Sequence, residues 1–137
     1  MQLTTLITLA TSATLASAGC FTGGAVWGED LYNANTLMYF AVCGSDGTGT
    51  HSYNAGETRR WCYHLTDTKR VDFSIRNMQS IKDTLSTANC ELLRNEIAGC
   101  QHGGRRAYTK FEFTADPNDG RCANLSYLPP DWPYRWW

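Results

Sequence analysis

No long run of one charge sign occurs in this 137-residue chain. Twelve basic residues are dispersed among thirteen acidic ones, for a formal net charge of −1. The basic pairs Arg59-Arg60, Lys69-Arg70 and Arg105-Arg106 do not extend into a stripe able to follow phosphates, which argues against a nucleic-acid partner. After residue 18 no apolar run approaches the ~20 residues needed to cross a bilayer. Paired C-x2-C spacing is missing too: no two cysteines stand closer than ten residues, so no zinc centre is expected. The chain has no G-x-S-x-G elbow for a Ser-His-Asp triad. It also lacks an internal repeat or a long linker, and reads as one domain.

What is present begins with MQLTTLITLATSATLASA, eighteen residues without a charged side chain. Its end, Ala16-Ser17-Ala18, fits a signal-peptidase site, so residues 1–18 are expected to be a signal peptide and residues 19–137 the secreted protein. All six cysteines (Cys20, Cys43, Cys62, Cys90, Cys100 and Cys122) follow that point. An even count in a short exported chain predicts about three disulfides, with the pairing open.

Helical spacing of Leu31, Ala34, Leu37, Met38, Ala41 and Val42 predicts a helix over Glu29–Val42. Gly44 to Glu57 reads as loop. Trp61, Tyr63 and Leu65 alternate with Arg60, Cys62 and His64, and Val71, Phe73 and Ile75 alternate with Arg70, Asp72, Ser74 and Arg76. These are two strands, each with one buried and one wet face, joined as a hairpin through Thr66-Asp67-Thr68. Cys90, Leu93, Ile97 and Cys100 predict a second helix, capped by Ser86 or Thr87. AYTKFEFTA reads as a third strand, Pro117-Asn118-Asp119-Gly120 as a turn, and Leu125 to Tyr127 as part of a fourth strand. The expected class is α+β: a disulfide-stapled antiparallel sheet packed with two helices as an α/β sandwich.

The stretch AGCQHGG (98–104) holds a cysteine and a histidine two residues apart, yet it lacks further metal ligands at tetrahedral spacing. It reads as a helix stop: Cys100 is a staple, Gly103 or Gly104 supplies a left-handed C′ residue, and His102 lies near the last carbonyls. Three histidines, His51, His64 and His102, lack the Glu and Arg neighbours in register that a small ribonuclease needs. Asp116 and Asp119 are explained by turn geometry rather than by a glycosidase pair. The same loop lacks the distal glutamate of a calcium-binding EF-hand. Five Trp and seven Tyr stand among Asn, Asp, Gly and Thr, a mixture suited to sugars, which present apolar faces and a rim of hydroxyls. The tail LPPDWPYRWW within 123–137 holds three Trp and is expected to cover a sheet edge or an apolar groove or to form a partner surface, while Asn124-Leu125-Ser126 is a glycosylation sequon at Asn124.

Five segments together carry a family resemblance: GCFTGGAVW, GE before the Trp-Cys strand, VDFSIRN, CELLRNEIAGCQHGG and FTADPNDGRC. From about Gly19 to Cys122 the chain resembles the Y-three family of small secreted fungal glycan-binding lectins. The resemblance implies a compact disulfide-stapled sandwich, no catalysis, no cofactor, glycans as partners and a homodimer formed by pairing sheets edge to edge. Trp27, His102, Arg105, Tyr108, Asp116 and Asn118 are the expected ligand-binding residues, as stacking and hydrogen-bonding groups. The alternative is a secreted fungal effector or toxin-like protein acting on a protein partner, with a small hydrolase or ribonuclease behind it. A strand leaving Gly104 towards the start of the second helix favours Cys90–Cys122 over Cys100–Cys122.

Overall fold

A computed structural model describes residues 19–45, 47–108 and 110–123. The expected signal peptide, the Asn124 sequon, the strand through Leu125 and Tyr127 and the tryptophan-rich tail all lie outside the described residues.

Ala34, Leu37, Met38, Ala41 and Val42 form one buried stripe, and they impose the first helical stretch. It runs as a 3-10 turn (Gly28–Asp30), α1 (Leu31–Leu37) and a π turn (Met38–Val42), close to the span the periodicity predicts. The run expected to be loop contains a three-residue strand, β1 (His51–Tyr53). Beyond it come β2 (Thr58–Thr66), β3 (Lys69–Asn77) and β4 (Asp83–Leu85), with β1 and β4 pairing antiparallel as a small second sheet. Three residues are too few to show a period, which is why β1 was hidden. Arg59 organises this corner instead. Its guanidinium lies 4.0 Å from the centre of the Tyr53 ring and donates to the carbonyls of Thr48, Thr50 and Ser52.

The second helical stretch follows as α2 (Thr87–Cys90), a 3-10 turn (Glu91–Leu93) and α3 (Arg94–Ala98). Ser86 caps it, accepting a hydrogen bond from the Asn89 N–H at 3.2 Å. The stop differs from expectation. Gly99 ends α3 in the right-handed region, and the left-handed glycine is Gly103 (φ 74°), in a turn closed by its N–H on the Cys100 carbonyl at 3.0 Å. A Cβ at Gly103 would overlap the Ala115 carbonyl, so the neighbouring strand excludes any side chain there.

The remaining chain forms β5 (Gly104–Tyr108) and β6 (Phe111–Asp119). AYTKFEFTA is thus a hairpin rather than one strand, with Tyr108 opposite Phe111. Three positions separate those aromatics, an odd step that breaks period two and signals the reversal. Pro117-Asn118-Asp119 continues β6 instead of turning, and the chain bends at Gly120 (φ 92°). Pro117 is tolerated because β5 stops flanking β6 at Ala115, so the missing N–H breaks no bond on that side.

The main sheet is antiparallel, in the order β2-β3-β6-β5. Its inner face packs Trp61, Tyr63, Leu65, Val71, Phe73, Ile75 and Phe113 into one core with Met38, Leu93 and Ile97. The α+β class and the disulfide stapling are as expected. The disulfides are Cys20–Cys100, Cys43–Cys90 and Cys62–Cys122, so the favoured Cys90–Cys122 pairing is corrected. The hairpin is the reason. β6 returns alongside β3 and delivers Cys122 to β2, whereas Cys90 stands beside the end of the first helical stretch.

Candidate functional site

Period two puts every second residue of the main sheet on the face away from the helices, and cross-strand register sorts these residues into rows. One row reads Arg60, Ser74, Thr114 and Arg105 from β2 to β5. The next holds Cys62, Asp72 and Asp116, and the third His64, Arg70 and Asn118. Such rows lie about 7 Å apart, with side chains within a row about 5 Å apart.

Hydrogen bonds stiffen this face. Arg70 Nε donates to Asp72 Oδ2 at 3.0 Å, and Asn118 Nδ2 donates to the same oxygen at 2.8 Å. Arg105 Nε reaches Thr114 Oγ1 at 3.3 Å and stands 4.0 Å from Glu112 Oε1. At the β2 side the Cys62–Cys122 disulfide pins the segment after Gly120 against the sheet, and the buried His64 Nε2 accepts the Cys122 N–H at 3.0 Å. That bond needs a bare Nε2, and burial together with the Arg121 charge pushes the His64 pKa down, keeping the ring neutral.

Between this segment and β6 opens a cleft of about 610 Å³, lined by Arg60, Arg70, Asp72, Ser74, Thr114 and Asp116 with Trp61, Cys62 and Phe73, and by Arg121 and Ala123 of the segment itself. Asp116 is its most perturbed group. Burial raises its carboxyl above the ordinary range and the nearby Asp72 charge adds to this, while the Asn118 hydrogen bond and Arg70 and Arg105 pull it down. It forms no ion pair with the described residues, unlike Asp72, and Asn118 is its hydrogen-bond partner.

Of the residues expected to bind ligand, Arg105, Asp116 and Asn118 come together on this face. The other three do not join them. Trp27 is buried at 2% exposure, its indole N–H donating to the Cys100 carbonyl at 2.7 Å, so neither ring face is open to a sugar. Tyr108 bonds Glu96 and Asn95 through its hydroxyl and packs edge-on against Phe113 on the core side. His102 Nδ1 lies 3.0 Å from the Gly24 carbonyl, in the turn after α3. Sequence reasoning misses Arg60, Arg70, Asp72, Ser74 and Thr114 as ligand groups, although all five alternate with the apolar residues of their strands. What was missing was the register that sets them beside β6. No group of three or more His, Cys, Asp or Glu that could hold a metal ion occurs among the described residues. None of the described helices is long and apolar enough to cross a membrane.

A stapled sheet with an open cleft of mixed apolar and polar lining agrees with the comparison to known families. The family model described as glycan binding domain Y3 matches residues 39–122. The chain belongs to this glycan binding domain Y3 family. The match spans β1 to β6 and ends on Cys122, so it takes in the whole polar face and the disulfide that closes the cleft. No curated protein and no solved structure matches the chain.

Proposed function

We propose that this Y3-family chain is a secreted, non-catalytic carbohydrate-binding protein whose glycan lies in the cleft on the outer face of the main sheet. The observation that carries this reading is Asp116. Its half-buried carboxylate has no ion-pair partner among the described residues and stands in a cleft lined by hydroxyl and guanidinium groups together with Trp61 and Phe73. Sugar hydroxyls donate to such a carboxylate, while Asn118, Ser74, Thr114 and Arg60 offer donors and acceptors to neighbouring ring substituents. Water exclusion by the cleft walls strengthens each of these bonds.

Asp116→Asn keeps the shape and removes the charge. On a glycan array and by titration calorimetry it is expected to weaken binding by about 30-fold, the worth of charge-assisted bonds, with the melting temperature unchanged or raised. Equal affinity in the variant would place the ligand elsewhere. Binding should also fade as pH drops through the Asp116 pKa, which lies above the usual aspartate range, because the protonated acid no longer accepts two hydroxyl donors.

Asp72 and Asp116 are direct cross-strand partners, and two carboxylates with separated pKa values are also what a glycoside hydrolase uses. Arg70 and Asn118 both occupy Asp72 Oδ2, which suits a binding wall better than a nucleophile. Incubating bound oligosaccharides with the protein and assaying new reducing ends separates the two readings: their appearance would make this a hydrolase.

A further inference from the structure

The basic residues that look scattered along the chain are not scattered in space. Arg60 and Arg70 stand on the outer face at β2 and β3, Arg76 continues β3, Arg105 lies on β5, and Arg121 closes the cleft. The acids beside them among the described residues are Asp72, Glu112, Asp116 and Asp67, the last 3.8 Å from Arg121. Among the described residues five cations face four anions there, on a chain whose net charge is −1. All five are arginines. The chain's three lysines lie elsewhere: Lys69 reaches Asp30 at 3.1 Å, Lys110 reaches Asp83 at 3.7 Å, and Lys82 precedes β4.

The pairing of these charges is uneven. Arg70 is held by Asp72, Arg105 lies near Glu112, and Arg121 stands 3.8 Å from the exposed Asp67. Arg60 and Arg76 are both exposed and form no ion pair among the described residues. They project from neighbouring strands, and the Ser74 and Thr114 hydroxyls continue the Arg60 row towards Arg105. A planar guanidinium fork matches a carboxylate or sulfate with two parallel bonds, and hydroxyls complete the shell of such an anion.

We infer that the cleft and the sheet face beside it take an acidic glycan, one carrying carboxylate or sulfate groups, with Arg60 in the cleft wall and Arg76, outside the cleft on the neighbouring strand, holding the anionic substituents while Asp116 holds ring hydroxyls. This rests on the reading of the cleft as the glycan site. A neutral sugar would leave the two exposed guanidinium groups idle, and a polyphosphate backbone would set its charges against Asp116 and Asp72 in the middle of the face.

The test titrates the protein with four probes at low and at physiological salt: a sulfated glycosaminoglycan oligosaccharide, an oligogalacturonide, a neutral chito-oligosaccharide and a single-stranded oligonucleotide. Arg60→Ala and Arg76→Ala are measured beside Asp116→Asn, with Arg94→Ala on α3 as the control. The expected result is tighter binding of an acidic oligosaccharide than of the neutral one, weakening with salt. Each of Arg60→Ala and Arg76→Ala should lose about tenfold of that affinity, and Arg94→Ala none. Binding of neutral sugars alone, lost in Asp116→Asn, would overturn the acidic class and leave the glycan cleft standing. Acidic binding indifferent to Arg60→Ala and Arg76→Ala overturns the inference as well. Oligonucleotide binding as tight as that of the acidic glycan would reassign the face to nucleic acid. Silence with every glycan would remove both readings.

Discussion

Replacing Cys43 and Cys90 together by alanine is expected to lower the unfolding free energy by about 4 kcal/mol. The bridge spans a sequence separation of 47 and fastens the π turn that ends the first helical stretch to α2. The other two bridges span 80 and 60 residues, and loop entropy grows only with the logarithm of length, so entropy alone barely separates the three. Burial does. Cys43 and Cys90 are both fully buried, whereas Cys20 is exposed, so truncating this pair also empties space inside the core. Both helical stretches are too short to persist in water alone and depend on packing against each other and the sheet. Guanidinium unfolding followed by far-UV circular dichroism reads the loss as a lower midpoint. A shift corresponding to less than about 1 kcal/mol would mean that side-chain packing alone fastens these helices.

Glu96→Ala should cost about 3 kcal/mol, because it empties a fully buried site and takes the acceptor from the half-buried Tyr108 hydroxyl and Arg106 guanidinium. Glu96 has no exposed surface. Its Oε1 accepts the Tyr108 hydroxyl at 3.2 Å and lies 3.5 Å from Arg106 Nε, so one carboxylate on α3 fastens the helix to β5. The backbone makes room for it at Gly104, where a Cβ would stand 2.7 Å from Oε2. Burial raises the Glu96 pKa above the usual glutamate value of 4.5, outweighing the pull of Arg106 and Tyr108. The folded state therefore keeps a proton that the unfolded chain has released. Stability attached to this group declines as pH rises from the unfolded pKa through the raised folded one, and levels off above it. Asp116 is raised as well and carries the same sign, so the wild type by itself does not isolate either group. The difference between the wild type and Glu96→Gln does: the variant should lose less stability across that window. Superimposable stability–pH profiles would sink this account of Glu96.

The legible parts of the molecule were those with a strong period. Val71, Phe73 and Ile75 against Arg70, Asp72, Ser74 and Arg76 already separate a core face from a wet face, and β3 follows that division. Ala34, Leu37, Met38 and Ala41 specify a helix in the same way. β1 was too short to show a pattern, and its partner β4 lies thirty residues away, so only tertiary pairing reveals it. DPNDG carries turn chemistry at almost every position, yet pairing with β3 over Lys69–Val71 draws its first residues into β6 and leaves the turn to Gly120. Local propensity is worth tenths of a kcal/mol per residue, and a paired, half-buried strand outweighs it.

Composition and local order by themselves determined a stapled α+β domain, the identity of its core faces and the segments that resemble the Y-three family, because these follow from side-chain period and residue type. The disulfide partners and the binding face required the tertiary structure. Six cysteines admit 15 pairings, and the β5–β6 reversal that selects among them turns on one odd step between two aromatics. Likewise Arg60, Arg76, Arg105 and Asp116 are far apart in sequence and show no basic stripe. Antiparallel register sets their strands about 5 Å apart, and a dispersed set of charges becomes one face with a cleft at its centre.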